Sequence, residues 1–163
     1  MSTVRTLQKK PVVLLVEDDS SDAQLVRIAL TRTPGEVTLI RIEDGDQAVA
    51  YLTGAAPFSD REKYPLPVTM LLDIKLPKRS GLELLQWLRS QAGPLKRLPV
   101  VMLTSSSHRI DVNRAFERGA NAYFTKPEAL KDLIAMLADL KSLWLRWLEF
   151  PDVEDSVAYP PRA

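Results

Sequence analysis

The 163-residue chain has no cysteine and a single histidine, His108. The first absence excludes a disulfide framework, a thiolate metal site and a cysteine nucleophile. The second excludes a multi-histidine metal centre and leaves little for imidazole catalysis. No apolar run reaches the length of a membrane span, and no early stretch has the form of a signal peptide. Neither sign of charge dominates: 22 basic residues stand against 21 acidic ones, for a net charge of +1. The basic surplus of a general nucleic-acid or anionic-membrane binder is therefore missing. Neither G-x-G-x-x-G nor G-x-x-x-x-G-K-S/T occurs, so the glycine cradles of dinucleotide and P-loop sites are absent. These absences predict a soluble cytoplasmic protein with no nucleic-acid or membrane partner.

What is present is a 45% apolar composition, enough for the core of one domain. Short apolar runs recur at 11–16, 37–42, 68–72, 98–103 and 121–124. Runs so short, β-branched and apolar throughout suggest strands buried on both faces of a parallel sheet. Between them lie amphipathic helical patterns over 22–33, 46–53, 82–91 and 109–118. A last one over 127–150 is bounded by Pro127 and Pro151. Alternation of this kind demands right-handed crossovers and an α/β sheet covered on both sides. Residues 1–10 read as a polar lead-in, 11–150 as the domain, and 151–163 as a polar tail.

In open α/β sheets, ligands bind at the carboxyl ends of the strands. The first strand runs into Glu17-Asp18-Asp19, the third into Asp73, the fourth into Thr104-Ser105-Ser106-Ser107 and the fifth into Lys126. If these strands are parallel, carboxylates, a hydroxyl and an ammonium meet in one crevice. Like carboxylates in one site repel, and a hard divalent cation with oxygen ligands relieves them. That set suits phosphoryl transfer, which depends on positioning and on neutralising the phosphoryl oxygens. Asp73, alone at its strand end, is the candidate nucleophile. His108 and Ser105–Ser107 read as helix-start and loop residues, and Asp44-Gly45 as a turn.

Glu17-Asp18, Asp73 followed by Pro77 and Gly81, Thr104-Ser105 and Lys126-Pro127 together resemble the receiver domain of two-component response regulators, over about residues 11–140. The resemblance implies a flavodoxin-like (βα)5 fold, a doubly wound parallel five-stranded sheet of order 2-1-3-4-5. It implies Asp73 as phosphoacceptor and Asp18 as direct metal ligand. Glu17 would act through a metal-bound water, and the backbone carbonyl of Lys75 would also face the metal. Thr104 would be the switch hydroxyl, Lys126 the phosphoryl-binding cation and Tyr123 the aromatic switch, with a cis Lys126–Pro127 peptide. The metal would be Mg2+, with Mn2+ as a substitute, and the partner a sensor histidine kinase. The long loop 54–67, Leu76-Pro77-Lys78 and the extended last helix are similar to the single-domain regulators of phytochrome-type kinases. A bacteriophytochrome is the kinase this subgroup implies. Such a protein is a phosphoacceptor rather than an enzyme in the usual sense, although it catalyses its own phosphorylation. A phosphate-independent receiver-like interaction module is the alternative.

A 24-residue last helix would span about 36 Å and overhang a strand of roughly 20 Å. Its distal part carries Leu143, Trp144, Trp147 and Phe150, while the tail beyond is short and polar. Large exposed apolar patches mark interfaces, so these residues are predicted to form a homodimer contact.

Overall fold

A computed structural model describes residues 10–146 and 148–154. Five parallel strands, β1 (Val12–Val16), β2 (Thr38–Ile42), β3 (Thr69–Leu72), β4 (Val100–Thr104) and β5 (Ala122–Thr125), form a sheet of order β2-β1-β3-β4-β5. Between and after them run α1 (Ser20–Arg32), α2 (Gly45–Thr53), α3 (Gly81–Arg89), α4 (Arg109–Glu117) and α5 (Leu130–Arg146). This is the expected fold, with each strand within two residues of its sequence reading at either end. A 3-10 turn over Pro94–Arg97, opened by its proline, was not anticipated.

Strand periodicity divides the core into two layers. Leu14 and Val16 of β1, with Met70, Leu72, Val100 and Met102, pack against α2 and α3. Val13, Leu15, Leu71, Val101 and Leu103 pack against α1 and α5. Three of the helices, α1, α2 and α3, begin where side chains can accept from their free amides. Asp19 accepts from the Asp22 amide at 2.8 Å and Asp44 from the Gln47 amide at 2.8 Å. Ser80 and Glu83 form a reciprocal capping box at the head of α3. Gly54 ends α2 at φ 73°, in the left-handed region that glycine enters without steric cost.

The long loop before β3 is tied down by aromatic packing. The rings of Tyr51, Phe58 and Tyr64 lie 5.2–6.1 Å apart, and the Arg61 guanidinium donates to the carbonyls of Tyr51, Leu52 and Tyr64. Within this loop the Ala56–Pro57 peptide is cis. The Lys126–Pro127 peptide is trans, contrary to the expectation and in line with the ordinary preference of X–Pro bonds.

The last helix is shorter than its pattern suggested. The Lys126 amide still bonds to the Thr104 carbonyl at 2.7 Å, so the chain is extended there and needs three residues to turn into α5. At the other end Phe150 precedes Pro151, which disfavours helical dihedrals, and the Leu148 amide reaches back to the Leu143 carbonyl at 3.1 Å. The 17 helical residues span about 26 Å rather than 36 Å. Trp144 is 5% exposed and belongs to the core layer under α1 and α5. Phe150 packs against that same layer. Leu143 and Leu148 are exposed, and Trp147 lies outside the described residues. Neither Trp144 nor most of Phe150 is free for a partner, because the helix and the turn after it fold both onto the protein's own core.

Candidate functional site

The sheet ladder continues one residue past the strands and thereby fixes the site. The Asp73 amide bonds to the Val16 carbonyl at 3.2 Å, the Glu17 amide to the Ile42 carbonyl at 3.0 Å, and the Lys126 amide to the Thr104 carbonyl. Residues far apart in the chain are thus locked side by side at the carboxyl edge. Gly81 closes the loop after Asp73: a Cβ there would lie 1.9 Å from the Asp73 carbonyl oxygen. Its amide donates to the Ile74 carbonyl at 2.9 Å, folding α3 back against the acceptor strand.

The Lys126 ammonium stands at the centre. It donates to Glu17 Oε2 at 2.5 Å, Asp22 Oδ2 at 2.9 Å and Asp73 Oδ2 at 3.2 Å. Glu17 and Asp73 are buried, and Asp18 is exposed. Burial pushes the Glu17 carboxyl above the usual glutamate range, against the pull of Lys126. Burial alone would lower Lys126, but its bonds to Glu17 and Asp22 and the nearby Asp73 charge hold it above the ordinary lysine value. The ammonium is charged, and the carboxylates around it outnumber it.

Glu17, Asp18 and Asp73 each present an oxygen within 4.8 Å of the others. Three hard oxygen donors, two of them on buried carboxyl groups and with negative charge in excess, fit a small divalent cation with room for water or phosphoryl oxygens. Lys75 follows on the turn after Asp73, its side chain exposed and its amide 3.4 Å from Asp73 Oδ1. Thr104 is buried at the end of β4, its hydroxyl oxygen 3.4 Å from the Ser106 amide. Tyr123 is half-buried on β5 and donates its hydroxyl to the Ser106 carbonyl at 2.8 Å. Ser106 in turn donates to Asp111 at 2.6 Å, so the β4–α4 loop and β5 are joined through one serine.

Two residues of this site escaped the sequence reading. In the sequence Asp22 reads only as the start of a helix. Its signal is its place in the first turn of α1, three residues after the Asp19 cap and five after Glu17. Arg41 lies within the apolar run 37–42, which assigns it no role. Its guanidinium donates to the backbone carbonyls of Glu17 at 3.1 Å and Asp18 at 2.9 Å, and pairs with Glu43 at 3.3 Å. It clamps the acidic turn from the neighbouring strand.

A family model, that of the response regulator receiver domain, matches residues 13–138. The chain belongs to the response regulator receiver family. Response regulator Rcp1 of Synechocystis sp. is 39% identical over 140 residues, which cover 86% of this chain and 92% of Rcp1. The crystal structure of the Mn2+-bound form of Rcp1 superposes with a TM-score of 0.77 at 38% identity, over 87% of this receiver and 99% of that chain. The phosphorylated cyanobacterial phytochrome response regulator RcpA gives a TM-score of 0.80 at 30% identity, over 88% of this receiver and all of that chain. The receiver thus shares its fold with one response regulator crystallised with Mn2+ and with a cyanobacterial phytochrome response regulator crystallised in a phosphorylated form.

Proposed function

We propose that this receiver accepts a phosphoryl group on Asp73 from the phosphohistidine of a sensor histidine kinase, in a Mg2+-dependent reaction, within phytochrome-type light signalling. The observation that carries the reading is the convergence of Asp73 with both the Lys126 ammonium, 3.2 Å away, and the carboxylates of Glu17 and Asp18. The light-signalling assignment leans on the likeness to the phytochrome response regulator RcpA.

An Asp73 carboxylate oxygen attacks phosphorus as the phosphorus–nitrogen bond to the kinase histidine breaks. The electron pair leaves with the imidazole nitrogen. Asp18 and Asp73 would hold Mg2+ directly, with Glu17 acting through a bound water and the Lys75 carbonyl completing the set, and the ion when bound would neutralise charge on the phosphoryl group. Lys126 donates to one phosphoryl oxygen and the Thr104 hydroxyl to another. The pull on Thr104 is felt by Ser106, whose amide lies against the Thr104 hydroxyl and whose carbonyl holds Tyr123. Phosphorylation thereby reshapes the α4–β5 surface, where a partner or a second copy reads it.

The test is incubation with acetyl phosphate and Mg2+ followed by intact-mass spectrometry. A gain of about 80 Da, one phosphoryl group, is expected in the wild type and lost in Asp73→Asn. An unmodified wild type, with the kinase as donor as well, would leave a phosphate-independent interaction module.

A further inference from the structure

We infer that Asp22, a half-exposed carboxylate on the first turn of α1, is a positioning residue that takes over the Lys126 ammonium when a divalent cation claims Glu17 and Asp73. The inference rests on the Mg2+-dependent reading above.

An ammonium has three N–H donors, and in this structure they are directed to Glu17, Asp22 and Asp73. Two of those acceptors, Glu17 and Asp73, also belong to the cluster whose oxygens lie within 4.8 Å of one another around the candidate cation position. Lysine and cation therefore compete for the same two carboxylates. Asp22 is outside that cluster. It reaches Lys126 from the helix side at 2.9 Å.

Exposure separates the partners further. The side chains of Glu17 and Asp73 are 2% and 10% exposed, and that of Lys126 is 12% exposed. An ammonium so enclosed has little water to turn to when its acceptors are withdrawn. Asp22, at 42% exposure, can follow it with a small rotation and is relieved of little hydration in doing so. Its backbone is anchored where the Asp22 amide donates to the Asp19 cap, so the carboxylate stays in reach of Lys126. Asp22 thus makes release of Glu17 and Asp73 to the cation less costly. It also keeps the lysine beside the acceptor with a donor ready for a phosphoryl oxygen.

Isothermal titration of the full chain with Mg2+ tests this. Asp22→Asn should weaken Mg2+ binding by about fivefold, the scale of one partly exposed charge pair, because the ammonium then stays on Glu17 and Asp73. Asp22→Glu keeps the charge at similar reach and should bind within about twofold of wild type. In a Lys126→Met background the Asp22→Asn effect should largely vanish, since no ammonium remains to be held. Melting without added Mg2+ should differ little between wild type and Asp22→Asn. Wild-type affinity in Asp22→Asn, or an undiminished loss in the Lys126→Met background, would overturn the assignment to Asp22. Failure of the wild type to bind Mg2+ at all would instead remove the proposed reaction.

Discussion

At the scale of single residues, the Lys126 ammonium and a divalent cation are drawn to the same oxygens. Removing the lysine leaves Glu17 and Asp73 buried with their charge uncompensated, and breaking one partner of a buried ion pair is costly. Lys126→Met should lose about 3–5 kcal/mol in unfolding experiments without metal. It should also gain more from added Mg2+ than the wild type does, because the competitor is gone and ligand binding stabilises by mass action. Thermal melts at rising Mg2+ read both effects; equal metal-induced shifts in the two proteins would contradict the competition. Residues such as Glu17, Asp73, Thr104 and Lys126 were legible in the sequence because a parallel ladder forces strand ends together, so position in a run implies position in space. Asp22 and Arg41 were not. Whether a first-turn helical acid or a strand-borne arginine reaches a neighbouring turn depends on helix orientation and strand register, which one-dimensional periodicity does not carry.

At the scale of elements, several joints are made by polar side chains bonding to backbone rather than by apolar stripes. Arg89, which reads as the last-turn cation of α3, donates to the carbonyls of Lys96, Leu98 and Gly119 and to Asn121 Oδ1. It thereby fastens α3 to the segments before β4 and β5. Lys141 on α5 is buried and donates to the carbonyls of Leu30 and Thr33, closing the end of α1. Hydrophobic patterning finds a helix but not such clasps, since the same residue types usually face water. The loop before β3 is fastened similarly, by the Tyr51 hydroxyl donating to the Pro65 carbonyl at 2.7 Å. Burial raises that phenol to about 12 from its ordinary 10. A group whose folded pKa is raised stabilises fully below the unfolded value and loses that contribution as pH rises through the folded one. Stability should therefore fall between about pH 10 and pH 12, as the unfolded chain sheds the proton that the folded chain retains. Denaturant titrations across that range should show Tyr51→Phe, less stable at neutral pH, losing less than the wild type on alkalinisation. Parallel decline of the two would show that Tyr51 is not the group responsible.

At the scale of the whole molecule, the segment after α5 runs beneath the sheet and joins its two layers. Phe150 packs with the layer under α1 and α5, whereas Val153 packs with the layer on the opposite face. Between them the Asp152 carbonyl accepts from the Arg97 guanidinium at 2.8 and 3.1 Å. The polar look of residues 151–154 in sequence hid their course, because the preceding Phe150, the Val153 side chain and one carbonyl suffice to hold them. Its return also narrows what α5 can offer a second copy. With Trp144 in the core and Phe150 half covered, Leu143 is the described residue of the anticipated contact left substantially exposed, at 43%. If the proposed homodimer forms there, Leu143→Glu places a charge in the contact while leaving the folded monomer nearly untouched, as exposed substitutions generally do within about 0.5 kcal/mol. Leu140→Glu, one turn earlier and 7% exposed, should instead unfold the protein by burying an unpaired carboxylate. Sedimentation equilibrium with beryllofluoride and Mg2+ then separates the cases. A wild-type dimer that becomes a monomer in Leu143→Glu, with its melting temperature retained, places the contact on this face of α5. A dimer indifferent to Leu143→Glu places it elsewhere, and the exposed Ile110 and Phe116 of α4 become the next positions to charge.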